Sequence, residues 1–179
     1  MTPMQIPELE TPRLRLRAIA ETDWPAILAY MSDPAVTAFL PDGTLDEDAS
    51  RRFAREQSGE EAKAVAVIAK ASGELIGHMP FHPWFAPETF EIGWAFHRAH
   101  QKKGYATEAA RALLAHAFGA LNAHRVIATC QPENTASWRV AEKIGMRREA
   151  HFRSALYRAP GVWWDECFYA LLAEEYRAR

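Results

Sequence analysis

The chain has 179 residues, of which 49% are hydrophobic and 25% are charged, and its formal net charge at pH 7 is −2. This length and composition are typical of one ordinary folded domain with a sizeable core. The near-zero charge gives no electrostatic drive for sequence-independent nucleic-acid binding, and without a ~18-residue apolar run or a secretory pattern we expect a cytoplasmic protein without a membrane segment.

The first half of the sequence predicts a strand, two helices and a meander of strands. Alternating apolar and basic residues over 14–17 indicate a half-buried strand, and Asp23 before Pro25 indicates a helix start. The pair Asp33-Pro34 predicts a turn, and the segment 71–73, which ends in glycine, is typical of a hairpin turn. The predicted elements are strand 14–17, helix 22–31, helix 46–57 and strands 64–69, 74–79 and 88–96.

The second half predicts a β-α-β unit, a further helix and a final antiparallel strand pair. Apolar residues at near-helical spacing indicate a helix over 104–121, and alternation indicates a strand over 124–130. The next helix starts near Thr135 and ends at Gly145, a residue suited to the left-handed position after a helix. Strands are expected near 147–157 and 163–171.

A polar loop, Gln101-Lys102-Lys103-Gly104-Tyr105-Ala106, stands between the strand 88–96 and the apolar-striped helix. The first backbone N–H groups of a helix lack intrahelical acceptors, and the helix dipole is positive at that end. Gly104 lets the backbone approach an anion without a Cβ, and Ala106 keeps the first helical turn narrow. The junction therefore predicts a binding site for a phosphate or diphosphate.

A second segment, Asn134-Thr135-Ala136-Ser137 followed by Glu142-Lys143-Ile144-Gly145-Met146, stands about thirty residues after the loop. Together the two segments resemble the Q/R-x-x-G-x-G/A loop and the N-x-x-[AS]…E-K-x-G-[FM] helix of the GNAT superfamily of N-acetyltransferases. The opening Arg13-Leu14-Arg15-Leu16-Arg17 and the Glu91-Ile92-Gly93-Trp94 strand are similar to its RimJ/RimL-type branch. The resemblance implies a mixed α/β (α+β) GNAT fold, in which a central, mostly antiparallel, twisted sheet holds a parallel, splayed central pair between flanking helices.

The resemblance implies that acetyl-CoA is the cosubstrate. Two contiguous stretches and two residues of the later Asn134 segment are implied to hold it. The loop supplies N–H groups for the diphosphate, and the strand before it pairs with pantetheine, so that a backbone N–H near Ala95 or Phe96 serves the oxyanion. The implied cofactor-binding residues are Trp94, Ala95, Phe96, Gln101, Lys102, Lys103, Gly104, Tyr105, Ala106, Thr107, Asn134 and Ser137. Surface lysines are also commonly only solvated, so direct phosphate contacts by Lys102 and Lys103 stay open.

Two residues are candidates for the proton transfers. Glu91, a carboxylate on a largely apolar strand, suits a general base, although a structural role for it is also open. Many members of the superfamily carry a tyrosine as general acid where this chain has Ala141. Ser137 matches a serine that the RimJ/RimL-type branch places near the CoA sulfur, with helix capping as its structural alternative, and Tyr105 and Tyr169 stay open as acids.

The expected function is therefore transfer of acetyl from acetyl-CoA to a primary amine by direct attack. The acceptor is a protein N-terminal α-amine, as the branch implies, or a small-molecule amine; the alternative is a non-catalytic acyl-CoA-binding or interaction module. We expect one GNAT domain over residues 8–176, and the resemblance leaves a homodimer open. The histidines form no ligand set, so no metal is expected, and Cys130 and Cys167 are expected to be reduced and buried.

Overall fold

The structure, a computed structural model, describes residues 6–85 and 87–178. Within these ranges the strands are β1 (Leu9–Glu10), β2 (Leu14–Ala18), β3 (Ala64–Ala69), β4 (Leu75–Pro83), β5 (Thr89–Ile92), β6 (Ala95–Phe96), β7 (Arg125–Cys130), β8 (Arg147–Ala159) and β9 (Val162–Leu172). The helices are α1 (Trp24–Met31), α2 (Pro34–Thr37), α3 (Glu47–Gln57), α4 (Tyr105–Gly119), α5 (Thr135–Lys143) and α6 (Ala173–Arg177). None of the helices in these ranges is long and apolar enough to cross a bilayer.

The strands form one mixed sheet in the order β1-β2-β3-β4-β5-β7-β9-β8, and β6 continues beside β4. The β5–β7 pair is parallel and the other pairs are antiparallel. The crossover from β5 to β7 passes through α4, as a parallel connection requires. The mixed fold predicted from the sequence, with its parallel central pair, is confirmed.

Strand β3 shows how the sheet is buried on both faces. Val65 and Val67 belong to the larger core cluster, which also contains Leu113 and Phe118 of α4. Their neighbours Ala64 and Ala66 point to the opposite face and pack in the cluster of α1 and α3. Side chains alternate along a strand, so a strand covered on both faces is a continuous apolar run. Truncation of fully buried Leu113 to Ala would cost about 2–5 kcal/mol of unfolding free energy.

Two predicted elements differ in detail from the structure. Asp33-Pro34 was expected as a turn, but Asp33 accepts a hydrogen bond from Ala35 N at 2.8 Å and starts the short helix α2. The predicted strand 88–96 is divided into β5 and β6 around Gly93 and Trp94. The predicted end of α5 is confirmed, because Gly145 has φ of 93° and Met146 N donates to Ala141 O at 3.0 Å.

Candidate active site

The two parallel central strands, β5 and β7, separate at one end, as expected from the splayed pair that the resemblance implies. Strand β5 pairs with β7 from Thr89–Arg125 to Glu91–Ile127. Beyond this point β6 pairs with β4, while β7 continues to Cys130 along β9. A gap therefore opens between β6 and the end of β7, and the backbone groups along it are not used by a β5–β7 ladder.

Strand β6 turns one edge of its backbone to this gap. Gly93 N and His97 N donate to carbonyls of β4 at 2.9 and 2.8 Å. Backbone groups alternate in direction along a strand, so Ala95 also faces β4, whereas Trp94 and Phe96 face the gap. Of the two predicted oxyanion donors, the N–H of Phe96 has the required direction and that of Ala95 points to β4.

The predicted phosphate loop has a backbone shaped by two left-handed residues, Lys102 with φ of 60° and Gly104 with φ of 82°. The Gln101 side chain donates from Nε2 to the carbonyl of Phe96 at 2.9 Å, which ties the loop to β6. Side chains rarely adopt this conformation at residue 104, and a Cβ there would stand 3.4 Å from an Arg13 nitrogen. Glycine therefore keeps this position both unstrained and open.

The loop ends at the N-terminus of α4, with Gly104 as the residue that precedes the helix. The first intrahelical bond is donated by Glu108 N to Gly104 O at 3.0 Å. Tyr105, Ala106 and Thr107 come before it, so their N–H groups have no carbonyl of the helix to bind. These groups and the helix dipole make the N-terminus of α4 a suitable binding site for an anion.

Arg13, which directly precedes β2, stabilises the phosphate loop by contacts with Lys103 and Glu108. Its Nη1 donates to Lys103 O at 3.0 Å, and its Nε contacts Glu108 Oε2 at 2.6 Å. Thr11 Oγ1 donates to the other Glu108 oxygen at 2.6 Å. Burial alone would raise the pKa of Glu108, but these bonds outweigh it and hold the pKa below its usual value. This role of Arg13 was not predicted, since the alternating residues of β2 give no sign of it.

An open cleft of about 790 Å³ extends from the loop along α4. Its lining includes Arg13, Gly104, Thr107, Arg111 and Lys143. The loop and its helix N-terminus thus lie next to a space with room for a nucleotide-sized ligand, whose wall carries three cationic side chains together with the acidic Glu10 and Glu108.

The second predicted motif meets the gap from the side of α5. Asn134 starts this helix, and its side-chain oxygen accepts a bond from Ser137 N at 3.3 Å. The amide NH₂ of an asparagine supplies two donors besides that acceptor. Asn134 therefore both caps α5 and brings donor groups to the end of β7.

The Ser137 hydroxyl lies between two other side chains at the gap. Trp94 Nε1 donates to Ser137 Oγ at 3.1 Å, and the Ser137 hydroxyl lies close enough to Cys130 to lower the pKa of its thiol. Burial raises the pKa of the Cys130 thiol to about 11, so this cysteine is a neutral thiol at pH 7. The Ser137 side chain is thus directed to Trp94 and the end of β7 rather than to local helix N–H groups. Cys130 and Cys167 are both free and buried, as predicted.

Glu91 lies on the opposite face of the sheet from α4, close to the point where the strands separate. Burial raises the pKa of its carboxyl; His82 lowers that pKa and Glu166 raises it. Its Oε2 lies 3.9 Å from His82 Nε2, across the β4–β5 ladder. Glu91 was predicted from the sequence as the base, whereas the proximity of His82 and Glu166 to it depends on strand pairing.

Aromatic side chains bound the Glu91 face of the sheet. Trp84 packs on Phe168 with ring centroids 5.5 Å apart, and Phe39 packs on Trp164 at 6.1 Å. Arg158 stacks over Trp164 at 4.0 Å and donates to carbonyls of the loop after α2. These contacts join the β8–β9 hairpin to the helical side and form a wall beside the acidic residues.

The two phenolic candidates and the nearby acidic residue Asp165 have other contacts. Asp165 accepts from His151 Nε2 at 2.7 Å and Ser154 N at 2.8 Å, so it braces the β8–β9 hairpin. Tyr169 is only 2% exposed and belongs to the core cluster on the α4 face. The Tyr105 ring lies under Arg13 at 4.6 Å. No group of three potential metal-binding side chains occurs in the described ranges.

Comparison with known proteins gives consistent matches over nearly the whole chain. Residues 13–147 match the family model described as an acetyltransferase (GNAT) domain. The uncharacterized N-acetyltransferase YnaD of Bacillus subtilis is 44% identical over 94% of this chain and 98% of its own.

Solved structures agree with the sequence matches. A GNAT-family acetyltransferase from Bacillus anthracis superposes with a TM-score of 0.90 at 43% identity, covering 94% of this chain and all of that one. An acetyltransferase from Agrobacterium tumefaciens gives a TM-score of 0.72 at 28% identity, covering 94% and 95% of the two chains.

Proposed function

The chain belongs to the GNAT family of acetyltransferases, and we propose that it transfers an acetyl group from acetyl-CoA to a primary amine by direct attack on the thioester. The observation that carries this proposal is the gap between β6 and β7, which leads to the unpaired N–H groups at the start of α4. An extended ligand with amide groups at one end and a diphosphate at the other matches this arrangement.

In this proposal the diphosphate binds to the loop Gln101–Gly104 and to the N–H groups of Tyr105, Ala106 and Thr107. Support comes from the left-handed backbone at Lys102 and Gly104, which turns the loop around the helix N-terminus. Lys102 and Lys103 are exposed at the loop and add positive charge near the diphosphate. Arg13 and Glu108 keep the loop in place before the ligand arrives.

Pantetheine lies along the free edge of β6, with Trp94 and Phe96 as its backbone partners and Asn134 as a side-chain donor. Ala95 completes the edge by holding the strand to β4. The N–H of Phe96 then faces the thioester carbonyl and stabilises the oxyanion that forms during attack. A preorganised donor of this kind typically contributes about 10²–10³ in rate.

Glu91 is proposed as the general base that takes a proton from the acceptor ammonium. Its partly buried position raises its pKa and makes it a better proton acceptor than an ordinary surface carboxylate. Glu166 adds negative charge on the same side, which favours a cationic acceptor. The aromatic wall at Trp84 and Trp164 bounds the space where that acceptor would lie.

Ser137 is proposed as the group that protonates the departing thiolate. A hydroxyl that accepts from Trp94 Nε1 keeps its own hydrogen for donation to another atom. Tyr169 is a poorer acid because it is buried in the core, and Tyr105 lies in the first turn of α4 under Arg13. Ser137 therefore takes the role of general acid, which many members of the superfamily give to a tyrosine where this chain has Ala141.

The acceptor is proposed to be a protein N-terminal α-amine, with a small-molecule primary amine as the second class. An α-amine with a pKa near 8 needs less help from a base than a lysine near 10.4. We also propose that one acetyltransferase domain extends over residues 8–176. Strands β1, β8 and β9, which lie wholly or largely outside residues 13–147, belong to the same sheet and support these bounds.

The test is release of free thiol from acetyl-CoA in the presence of a panel of amines that includes peptides with free N-termini. The proposal expects turnover with at least one amine class. A non-catalytic acyl-CoA-binding module would instead show thermal stabilisation by CoA and no thiol release with any of them. Comparison of N-terminally free and blocked peptides then separates α-amine from lysine acceptors.

A further inference from the structure

His82 and Glu91 stand directly opposite each other on neighbouring strands. Cross-strand partners of β4 and β5 share a face of the sheet, and their side chains are 25% and 28% exposed. His82 Nε2 and Glu91 Oε2 are 3.9 Å apart, just beyond hydrogen-bond distance, and a small rotation of either side chain brings them into contact. The two groups are therefore within proton-transfer reach.

The second ring nitrogen of His82 fixes which tautomer is present. Nδ1 lies 3.1 Å from the carbonyl oxygen of Pro83. A carbonyl only accepts, so Nδ1 carries the hydrogen of that bond. In neutral His82 the lone pair is then on Nε2, the nitrogen that faces the Glu91 carboxylate.

Two further charged groups lie near the pair. Glu166 on β9 is close enough to Glu91 to raise its pKa, so this charge favours uptake of the acceptor's proton by Glu91. On β7, next to β5, Arg125 is paired with Glu149. When Glu91 loses the proton again, its carboxylate is the counter-charge of an imidazolium at His82, and the partly exposed ring can return the proton to solvent.

We propose that His82 is a positioning residue that holds Glu91 and accepts from it the proton removed from the acceptor amine. An O–H bond forms at Glu91 as the N–H bond of the ammonium breaks. The proton next moves from Glu91 to Nε2 of His82, while Nδ1–H stays on Pro83 O, and the imidazolium then releases a proton to water. The inference rests on the proposed role of Glu91 as base.

The first experiment follows the His82 ring by nuclear magnetic resonance in the free protein. In the wild type, ¹⁵N shifts should show the neutral ring protonated at Nδ1, and the Nε2 resonance should move in Glu91→Gln because the facing carboxylate is lost. The His82 signal is identified by its loss in His82→Gln. An Nε2–H tautomer, or an Nε2 resonance unchanged in Glu91→Gln, would overturn the proposal.

The second experiment measures kcat/KM against pH with the amine that releases most thiol in the panel. His82→Gln should lower the plateau about tenfold, since Glu91 remains as base but must pass its proton to water. Its acidic limb should move to higher pH, because His82 lowers the pKa of Glu91 and that effect is lost in the variant. His124→Gln, an exposed histidine away from the site, should leave the profile unchanged.

The outcomes separate the two proposals. Absence of thiol release by the wild type with every amine contradicts the proposed function itself. Thiol release that falls in Glu91→Gln while His82→Gln keeps the wild-type plateau and limb contradicts only the role of His82. A lowered plateau in His82→Gln with an unmoved limb assigns His82 a merely structural role and also overturns this inference.

Discussion

Glu108 lies in the cofactor half of the site, which is the loop 101–104 with the start of α4, and Glu91 lies in the acceptor half, on the other face of the sheet. Their surroundings shift their pKa values in opposite directions. Glu108, in the first turn of α4, receives hydrogen bonds from Thr11 and Arg13, and its pKa is lowered. Glu91 is partly buried near the gap, and its pKa is raised. The cofactor half thus uses its carboxylate to stabilise the fold, whereas the acceptor half keeps a partly desolvated carboxylate available for chemistry.

The largest expected effect falls on the cofactor half. Gly104→Glu should reduce CoA affinity more than about 100-fold, because it adds a side chain and a negative charge where the diphosphate binds. Isothermal titration calorimetry measures the loss. Gly73→Glu is the matched control, since Gly73 also has positive φ but has open space around it. Equal affinity in the two variants would contradict the placement of the diphosphate.

On the acceptor half, Glu91→Gln should lower kcat/KM about 100-fold with CoA affinity unchanged, since only the proton transfer is removed. Steady-state kinetics and calorimetry on the same sample give the two values. Glu166→Gln is a useful comparison, because it removes a neighbouring charge but leaves the base. Wild-type kinetics in Glu91→Gln would show that Glu91 is structural.

Ser137 links the two halves and should have a smaller effect. Ser137→Ala should lower kcat about tenfold, because a thiolate is a fair leaving group and needs only partial help from an acid. Trp94→Phe, which removes the bond to Ser137 Oγ, should lower kcat by about fivefold or less. A larger loss in Trp94→Phe than in Ser137→Ala would mean that Trp94 acts independently of Ser137.

The smallest effect concerns stability, and its sign should differ between the two carboxylates. At a pH above the raised folded-state pKa, Glu91 is ionised in both the folded and the unfolded chain. Ionisation in the partly buried site costs free energy that ionisation in the unfolded chain does not, so it destabilises the fold. Glu91→Gln should therefore raise Tm at pH 8 and change it little below the ordinary glutamate value of 4.5.

Glu108 has a lowered folded-state pKa, so its contribution is present above 4.5 and is lost as pH falls through the folded-state value. Glu108→Gln should therefore lower Tm at pH 8, with a difference that shrinks in acid. Differential scanning calorimetry at several pH values compares the two variants. Shifts of the same sign at pH 8 would contradict the comparison between the two halves.

The two halves also differ in how far the sequence predicts them. The loop 101–107 and the segment 134–145 are each contiguous, so a glycine, a capping asparagine and apolar spacing are enough to identify them in the sequence. The acceptor side is assembled from His82, Glu91 and Glu166, which lie on three strands. Their proximity depends on strand order and register, and short sequence patterns do not encode either.

Smaller differences have local causes. Asp33 and Pro34 suit both a turn and a helix start, and only the following residues decide that a short helix forms. The strand 88–96 divides at Gly93 and Trp94, and Gly93 is packed against β4 so closely that a Cβ would stand 3.3 Å from Pro80. The role of Arg13 was not predicted, because its bond to Lys103 O joins segments 90 residues apart.

The most direct test of the account is calorimetric titration of the folded wild-type protein with CoA and with acetyl-CoA. The account predicts binding heat with both ligands and much weaker binding of pantetheine, which lacks the diphosphate. A folded sample that gives no heat with either ligand, or that binds pantetheine as tightly as CoA, would contradict the claim that main-chain N–H groups at the start of α4 hold the cosubstrate.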